Sequence, residues 1–320
     1  MTLSQLAALA HVSTSTVSKA FSMSAEVNEG TREMIFEVAK KHGCFKQFYR
    51  SEYTGLVFAL ICPEFDSSYY ATLISEMQKC LVSRNSELCV ASTDFSAETE
   101  KKLIEYYERY HTVDGIILIN GHSDYVYKND VPIALVNCFT ENRGTVNVTK
   151  DESAPLMRAI EYWVNSGSSE IGFIGDTYTV TRRRMLEHAL TEYIGSYDKE
   201  LFKTATERYE RGGYEVMCEL IASGKIPRCI VCAYDRLAFG AMRALHEHNI
   251  KIPDEVALIG FDDAPQSAYQ SPSLTSINHE VKKTCETIVE ELFKRINGEK
   301  YSEDITITCT LVERESSVMK

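Results

Sequence analysis

From Gly55 onward the chain alternates strand-like apolar runs with amphipathic stretches, and this pattern restricts the fold more than any other feature of the sequence. Strand-length runs recur at 56–62, 88–92, 115–119, 133–136, 171–174, 229–233 and 256–261, and helical spacing fills 70–82, 98–110, 154–165 and 237–248. Strands alternating with helices are the signature of parallel sheets built from crossover units, so the body is expected to be α/β. At 320 residues with 44% hydrophobic content, the chain can bury two or three such globular units. It contains no low-complexity segment and no short repeat.

The first 43 residues read differently. Leu3, Leu6, Ala7, Leu9 and Ala10 follow helical spacing behind Thr2 or Ser4 as cap. His11-Val12-Ser13 interrupts the pattern, and residues 14–21 offer a second helix capped by Ser13, with Val17, Ala20 and Phe21 on its apolar side. A third helix is expected over 28–42, capped by Asn28, burying Met34, Ile35 and Val38, and stopped by Gly43. Three short helices with a tight turn between the first two make a helix-turn-helix, whose second helix enters the major groove. Thr14, Ser15 and Lys19 are spaced to reach base edges, while Ser13, Thr16 and Ser18 can bond phosphates. A small helical bundle with a merely solvated polar face remains the alternative at this point.

Net charge is −12, which argues against nucleic acid unless the charge is unevenly placed. It is: residues 1–50 hold six Lys/Arg against four acids, a surplus of +2 that leaves −14 on the remainder. Screening beyond about 8–10 Å at physiological salt lets a basic head meet phosphates on an acidic body. The ten cysteines include several in apolar runs, such as Cys62, Cys229 and Cys232, which suits buried free thiols in a reducing compartment. The Cys229/Cys232 spacing fits a zinc knuckle or redox pair in isolation, but no second ligand pair stands at a suitable distance, so core residues and no metal are expected. Without a signal-type h-region or an apolar run near 18 residues, the chain is expected to be cytoplasmic.

The stretch from Leu3-Ser4-Gln5-Leu6-Ala7 through Thr14-Ser15-Thr16-Val17-Ser18-Lys19-Ala20-Phe21 resembles the DNA-binding signature of the LacI/GalR family of transcription regulators, with Val27, Thr31-Arg32 and Gly43 where that family's third helix begins and ends. The resemblance continues through 232–245, Ile252-Pro253-Asp254 to Asp262-Asp263, and Pro272-Ser273-Leu274-Thr275-Ser276-Ile277. It implies a three-helix head (1–45), a linker (46–54) and a periplasmic-binding-protein-like body (55–320) of two parallel α/β subdomains, about 55–152 with 279–307 and 153–278 with 308–320. It also implies a homodimer on a pseudopalindromic operator, with Thr14, Ser15 and Lys19 as base readers. One segment departs from the family: 44–55 lacks the Tyr-x-Pro-Asn and Ala-x-x-Leu elements and is about four residues short, so a standard hinge helix is not expected and any minor-groove wedge would come from Tyr49 or Tyr53.

Ligands of open α/β sheets sit outside the carboxyl ends of the strands, which selects the residues just beyond them. Asp66, Tyr69 and Tyr70 follow the first run, and their rings can stack on a pyranose or pack as helix-start core. Arg182 matches the family's ligand-binding arginine, with a planar fork for paired hydroxyls or a carboxylate. Asp262 matches its sugar-hydroxyl acceptor, or else caps the Asp262-Asp263 turn. Tyr234 stands where the family has Asn, Asp235 orders a helix start in the family, and His279 lies beside a subdomain crossing. The effector is expected to be a sugar, with a purine or nucleoside as the alternative. No Gly-x-Ser-x-Gly elbow, Walker loop, Gly-x-Gly-x-x-Gly or His-Glu-x-x-His occurs, so neither an enzyme nor a cofactor is expected. A solute-binding protein would share the body but need export and no head.

Overall fold

The computed structural model describes residues 1–48, 55–110, 113–121, 131–138 and 144–318. In chain order the head holds α1 (Leu3–Leu9), α2 (Thr14–Phe21), α3 (Glu29–Lys41) and the single turn α4 (Phe45–Phe48). There follow β1 (Leu56–Cys62), α5 (Ser68–Val82), β2 (Ser86–Ser92), α6 (Ala97–Tyr110), β3 (Gly115–Ile119), β4 (Ile133–Val136) and β5 (Val146–Asp151). Next come α7 (Ser153–Asn165), β6 (Ile171–Gly175), α8 (Val180–Ile194), β7 (Phe202–Thr204), α9 (Tyr209–Ser223), β8 (Cys229–Cys232), α10 (Asp235–Glu247), β9 (Ala257–Phe261) and β10 (Thr275–Asn278). The chain closes with α11 (Val281–Ile296), β11 (Asp304–Thr308) and β12 (Thr310–Val312).

All three head helices carry the caps their sequences imply. Thr2 and Gln5 form a reciprocal capping box, Ser13 Oγ accepts from the Thr16 N–H at 3.0 Å, and Asn28 accepts from Thr31 at 2.9 Å. Leu6, Val17, Ala20, Ile35 and Ala39 have no exposed surface and form the head's own core. Burial of Leu6, Val17 and Ile35 contributes about 1.5–3 kcal/mol each. Arg32 ties the α2–α3 connection down by donating to the carbonyls of Ser24 and Val27 at 2.8 and 2.9 Å. The expected boundary between head and linker at 45/46 falls inside α4, because Phe45 and Phe48 pack on Phe21 at 5.6 and 5.7 Å between ring centroids. Tyr49, Tyr53 and the rest of 49–54 lie outside the described residues.

The chain divides into two compact units, 1–149 with 282–305 and 150–281 with 306–320. The first holds a sheet of order β11-β5-β4-β3-β1-β2 and the second one of order β12-β10-β9-β8-β6-β7. The ladders of β1 to β5, and those of β6 to β10, are parallel. The second sheet is not wholly parallel as expected: β12 runs antiparallel to β10, joining it as an edge strand after the last crossover. Every residue of β3, β4, β6, β8 and β9 is buried, which is why these runs are apolar throughout rather than alternating. Cys229 and Cys232 lie in that buried layer, and all ten cysteines are free thiols. In the second unit, α9 and α10 approach until a Cβ on Gly213 would stand 1.9 Å from the Leu237 carbonyl oxygen. Among the described residues, no helix is long and apolar enough to cross a membrane.

Candidate functional site

On the head, Thr14, Ser15 and Ser18 stand exposed on one side of α2. Ser13 Oγ and Thr16 Oγ1 bond each other at 2.7 Å, so these two hydroxyls begin as a pair and not as separate phosphate ligands. Lys19 is ion-paired with Glu26, a partner the sequence reading missed because it lies beyond the end of α2. Ser13, Ser15, Thr16, Lys19, Glu26, Asn28 and Thr31 line a concavity of about 360 Å³ at which the N-termini of α2 and α3 both open. Helix N-termini and hydroxyls facing one hollow suit phosphate oxygens.

In the first unit Asp66 is exposed in the connection from β1 to α5. Tyr69 and Tyr70 start α5, buried and edge-on to each other at 5.2 Å, and Asn120 beyond β3 donates to Tyr70 Oη at 2.8 Å. Tyr69 and Tyr70 thus form one local group with Asn120, with Asp66 on the preceding connection.

The second unit gathers the others along the carboxyl edge of its sheet, in two neighbouring clusters. Strand order reverses between β6 and β8, and Asp176 and Tyr234 stand just past those strands. The Tyr234 phenol is buried and donates to Asp176 Oδ2 at 2.8 Å while accepting from the Tyr209 N–H at 3.1 Å. Burial, then the Asp176 charge, push its pKa up, so it remains a donor. Arg208 pairs with Asp176 at 3.3 Å, and the guanidinium of Arg236 lies 3.8 Å over the Tyr209 ring. Asp176, Arg208, Tyr209 and Arg236 were not foreseen, since their pairing crosses loops with no shared local pattern.

The second cluster centres on Arg182 in the first turn of α8. Its Nε and Nη2 donate to Glu152 Oε2 and Oε1 at 3.1 and 2.9 Å, and its Nη1 donates to the Ala233 carbonyl at 2.6 Å. The guanidinium lies 4.5 Å over the Phe261 ring and 3.7 Å from Asp262 Oδ1. His279, wholly buried, brings Nε2 to 3.0 Å from Asp262 Oδ1. Burial and then the Lys150 charge lower the imidazole's pKa, so the ring is neutral at pH 7, with Nε2 also 3.0 Å from Arg182 Nη2 and Nδ1 3.4 Å from Glu152 Oε1. Lys150 itself is brought down to about 8, chiefly by burial. Burial alone would raise the Glu152 carboxyl, but the Arg182 charge and its hydrogen bonds hold it well below the usual range. Asp262 adopts φ +98°, and a non-glycine residue held in that region costs about 1–3 kcal/mol, an expense typical of binding sites.

Asp235 turns away from this edge. Fully buried, it accepts from the Ala264 N–H and from the hydroxyls of Ser267 and Ser276 at 2.6–2.7 Å, and a Cβ on Gly260 would meet its Oδ1 at 2.1 Å. It orders the loop after β9 and the start of β10, whereas the resemblance implied a role at a helix start and the sequence reading a place at the effector site. Glu152 was missed: Lys150-Asp151-Glu152 reads as a polar crossing, yet Asp151 caps α7 through Ser153 at 3.0 Å, which releases Glu152 to face Arg182.

A head of three short capped helices, followed by two α/β units with charged carboxyl-edge residues, defines a DNA-binding regulator with a periplasmic-binding-protein-like body. The Periplasmic binding protein-like domain matches residues 160–317. The HTH-type transcriptional regulator MalR of Streptomyces coelicolor is 27% identical, covering 92% of this chain and 90% of its own. AscG of Escherichia coli, another HTH-type transcriptional regulator, is 24% identical over 99% of this chain and 98% of its own. A crystal structure of a periplasmic binding protein/LacI transcriptional regulator from Alkaliphilus metalliredigens, complexed with D-xylulofuranose, superposes with a TM-score of 0.70 at 25% identity, covering 82% of this chain and 99% of that one. The chain is thus similar over nearly its whole length to HTH-type transcriptional regulators, and over its body to a LacI transcriptional regulator of known structure.

Proposed function

We propose that the protein is a repressor of a carbohydrate-use operon whose operator affinity is changed by a sugar held at the carboxyl edge of the second unit's sheet. The observation that carries this reading is the Arg182–Asp262–His279 cluster: buried donors and acceptors, one on a strained backbone, converge where open α/β sheets take ligands. Asp262 accepts from sugar hydroxyls, and Arg182 holds Glu152 at the same edge as a second acceptor. The sugar found in the Alkaliphilus relative supports the same class of effector. A flat purine is less suited, because guanidinium groups already lie over the Tyr209 ring at 3.8 and 4.7 Å.

On the DNA side, Thr14, Ser15 and Lys19 read base edges of a pseudopalindromic operator as a homodimer in the cytoplasm, with Ser13, Thr16 and Ser18 toward the phosphates. The site binds and does not turn over substrate. The sugar acts as an inducer through a coupling of about 1–3 kcal/mol. Thermal unfolding of the full-length protein against neutral mono- and disaccharides, sugar phosphates and purines at millimolar concentration tests this. A ligand at 100 times its dissociation constant adds about 2.7 kcal/mol. A sugar that raises the midpoint in the wild type but not in Arg182→Met or Asp262→Asn is expected; a purine with that behaviour, or a sugar whose effect survives both substitutions, overturns the reading.

A further inference from the structure

The Arg182 fork is the obvious receptor for an acidic ligand, yet in this chain it already holds a carboxylate. Glu152 takes the Nε and Nη2 edge in a two-point pair, and the Ala233 carbonyl takes Nη1. Both side chains of the pair are largely buried, at 18% and 14% exposure. The N–H directions that would grip a ligand carboxylate or phosphate are therefore spent inside the protein. Local charge is balanced as well: Lys150 and Arg182 oppose Glu152 and Asp262, with His279 neutral between them. An anionic ligand must either evict Glu152, leaving a buried carboxylate without its cation, or remain itself an uncompensated charge. A polyol meets neither penalty, because its hydroxyls donate to the remaining lone pairs of Glu152 and Asp262.

We propose that Glu152 is a specificity-determining residue that fills the Arg182 fork in place of a ligand's acid group, so that this site takes uncharged sugars and rejects their uronates and phosphates. The proposal rests on the reading of this edge as the effector site and adds the charge class of the effector. Its sequence basis is local: Asp151 caps α7, which leaves Glu152, although it stands at the cap position, with no capping bond to make.

The test uses the full-length protein and matched probes that differ only in charge: D-glucose, D-galactose and D-mannose, each with its uronate and its 6-phosphate, followed by isothermal titration calorimetry. In the wild type a neutral member binds at least tenfold tighter than its acids. In Glu152→Gln, which keeps the shape and one acceptor, the ratio of acid to neutral affinity rises at least tenfold; Glu152→Asp, which keeps the charge, retains the wild-type preference. A wild type that prefers the uronate or the phosphate overturns the proposal without recourse to any variant, as does an acid-to-neutral ratio equal in wild type and Glu152→Gln. These outcomes are separate from failure of the effector-site reading, which shows as sugar binding that survives Arg182→Met.

Discussion

Removal of the Glu152 carboxylate tests the energetics of the Arg182 cluster most sharply. Glu152→Ala withdraws two charge-assisted bonds of 3.1 and 2.9 Å and leaves a guanidinium at 18% exposure with the Ala233 carbonyl and Asp262, 3.7 Å away. Breaking a buried pair by deleting one partner costs about 3–5 kcal/mol, and the remaining Asp262 attraction places the expected cost near the lower end, about 3 kcal/mol. Trp163, the only tryptophan and fully buried in the second unit, reports that unit's unfolding by fluorescence. With a urea m-value of about 2 kcal/mol/M, the midpoint falls by about 1.5 M. The double variant Glu152→Ala/Arg182→Met leaves no orphaned guanidinium and should recover at least half of that loss. A midpoint within about 0.2 M of wild type in the single variant refutes the argument that this carboxylate compensates a buried cation.

The same pair sets an acid dependence. Glu152 has its folded-state pKa depressed, so the unfolded chain binds more protons, and its contribution is full above the ordinary carboxylate value and lost as pH falls through the depressed one; the Trp163-monitored midpoint should drop from about pH 5 to about pH 3, less steeply in Glu152→Gln. Gly213→Ala forces a Cβ to within 1.9 Å of a backbone oxygen on α10 and should cost about 3 kcal/mol, whereas Gly195→Ala, at φ +83° in open space, should cost about 1 kcal/mol; equal urea midpoints for the two would contradict the close approach of α9 and α10. Glu26→Gln frees Lys19 for the base edges and takes a carboxylate away from the DNA-facing hollow, so duplex affinity should rise about twofold; a fall in affinity at every salt concentration would mean that Glu26 positions Lys19 for DNA.

What the sequence made legible follows from how local each cause is. The caps at Thr2, Ser13 and Asn28 act within three residues, so the head helices were readable to within a residue or two. The central strands β3, β4, β6, β8 and β9 are wholly buried and apolar, and they announced themselves. By contrast, β7 spans three residues, and β11 alternates Ile with Thr at a sheet edge, too short or too polar to stand out. The α8 helix carries Arg182, Arg183 and Arg184 in its first turns and has little amphipathic contrast, so it went unassigned. Single candidates were singled out where they follow strands, as with Arg182, Asp262 and His279. Their partners were not: Glu152 lies 30 positions from Arg182, and His279 lies 97. Such pairings depend on the topology of the sheet and leave no periodic trace.

The central claim is that a sugar at the Arg182–Asp262 edge governs DNA binding by the head. The most direct measurement is fluorescence anisotropy of the full-length wild type on a duplex selected from a random pool by the protein itself, with and without the sugar that raises its unfolding midpoint. The account predicts that the sugar weakens duplex binding by about 5- to 150-fold, that Arg182→Met binds the duplex as tightly as wild type but ignores the sugar, and that Lys19→Ala loses the duplex altogether. Duplex affinity unchanged by the sugar in the wild type, or changed equally in Arg182→Met, would contradict it.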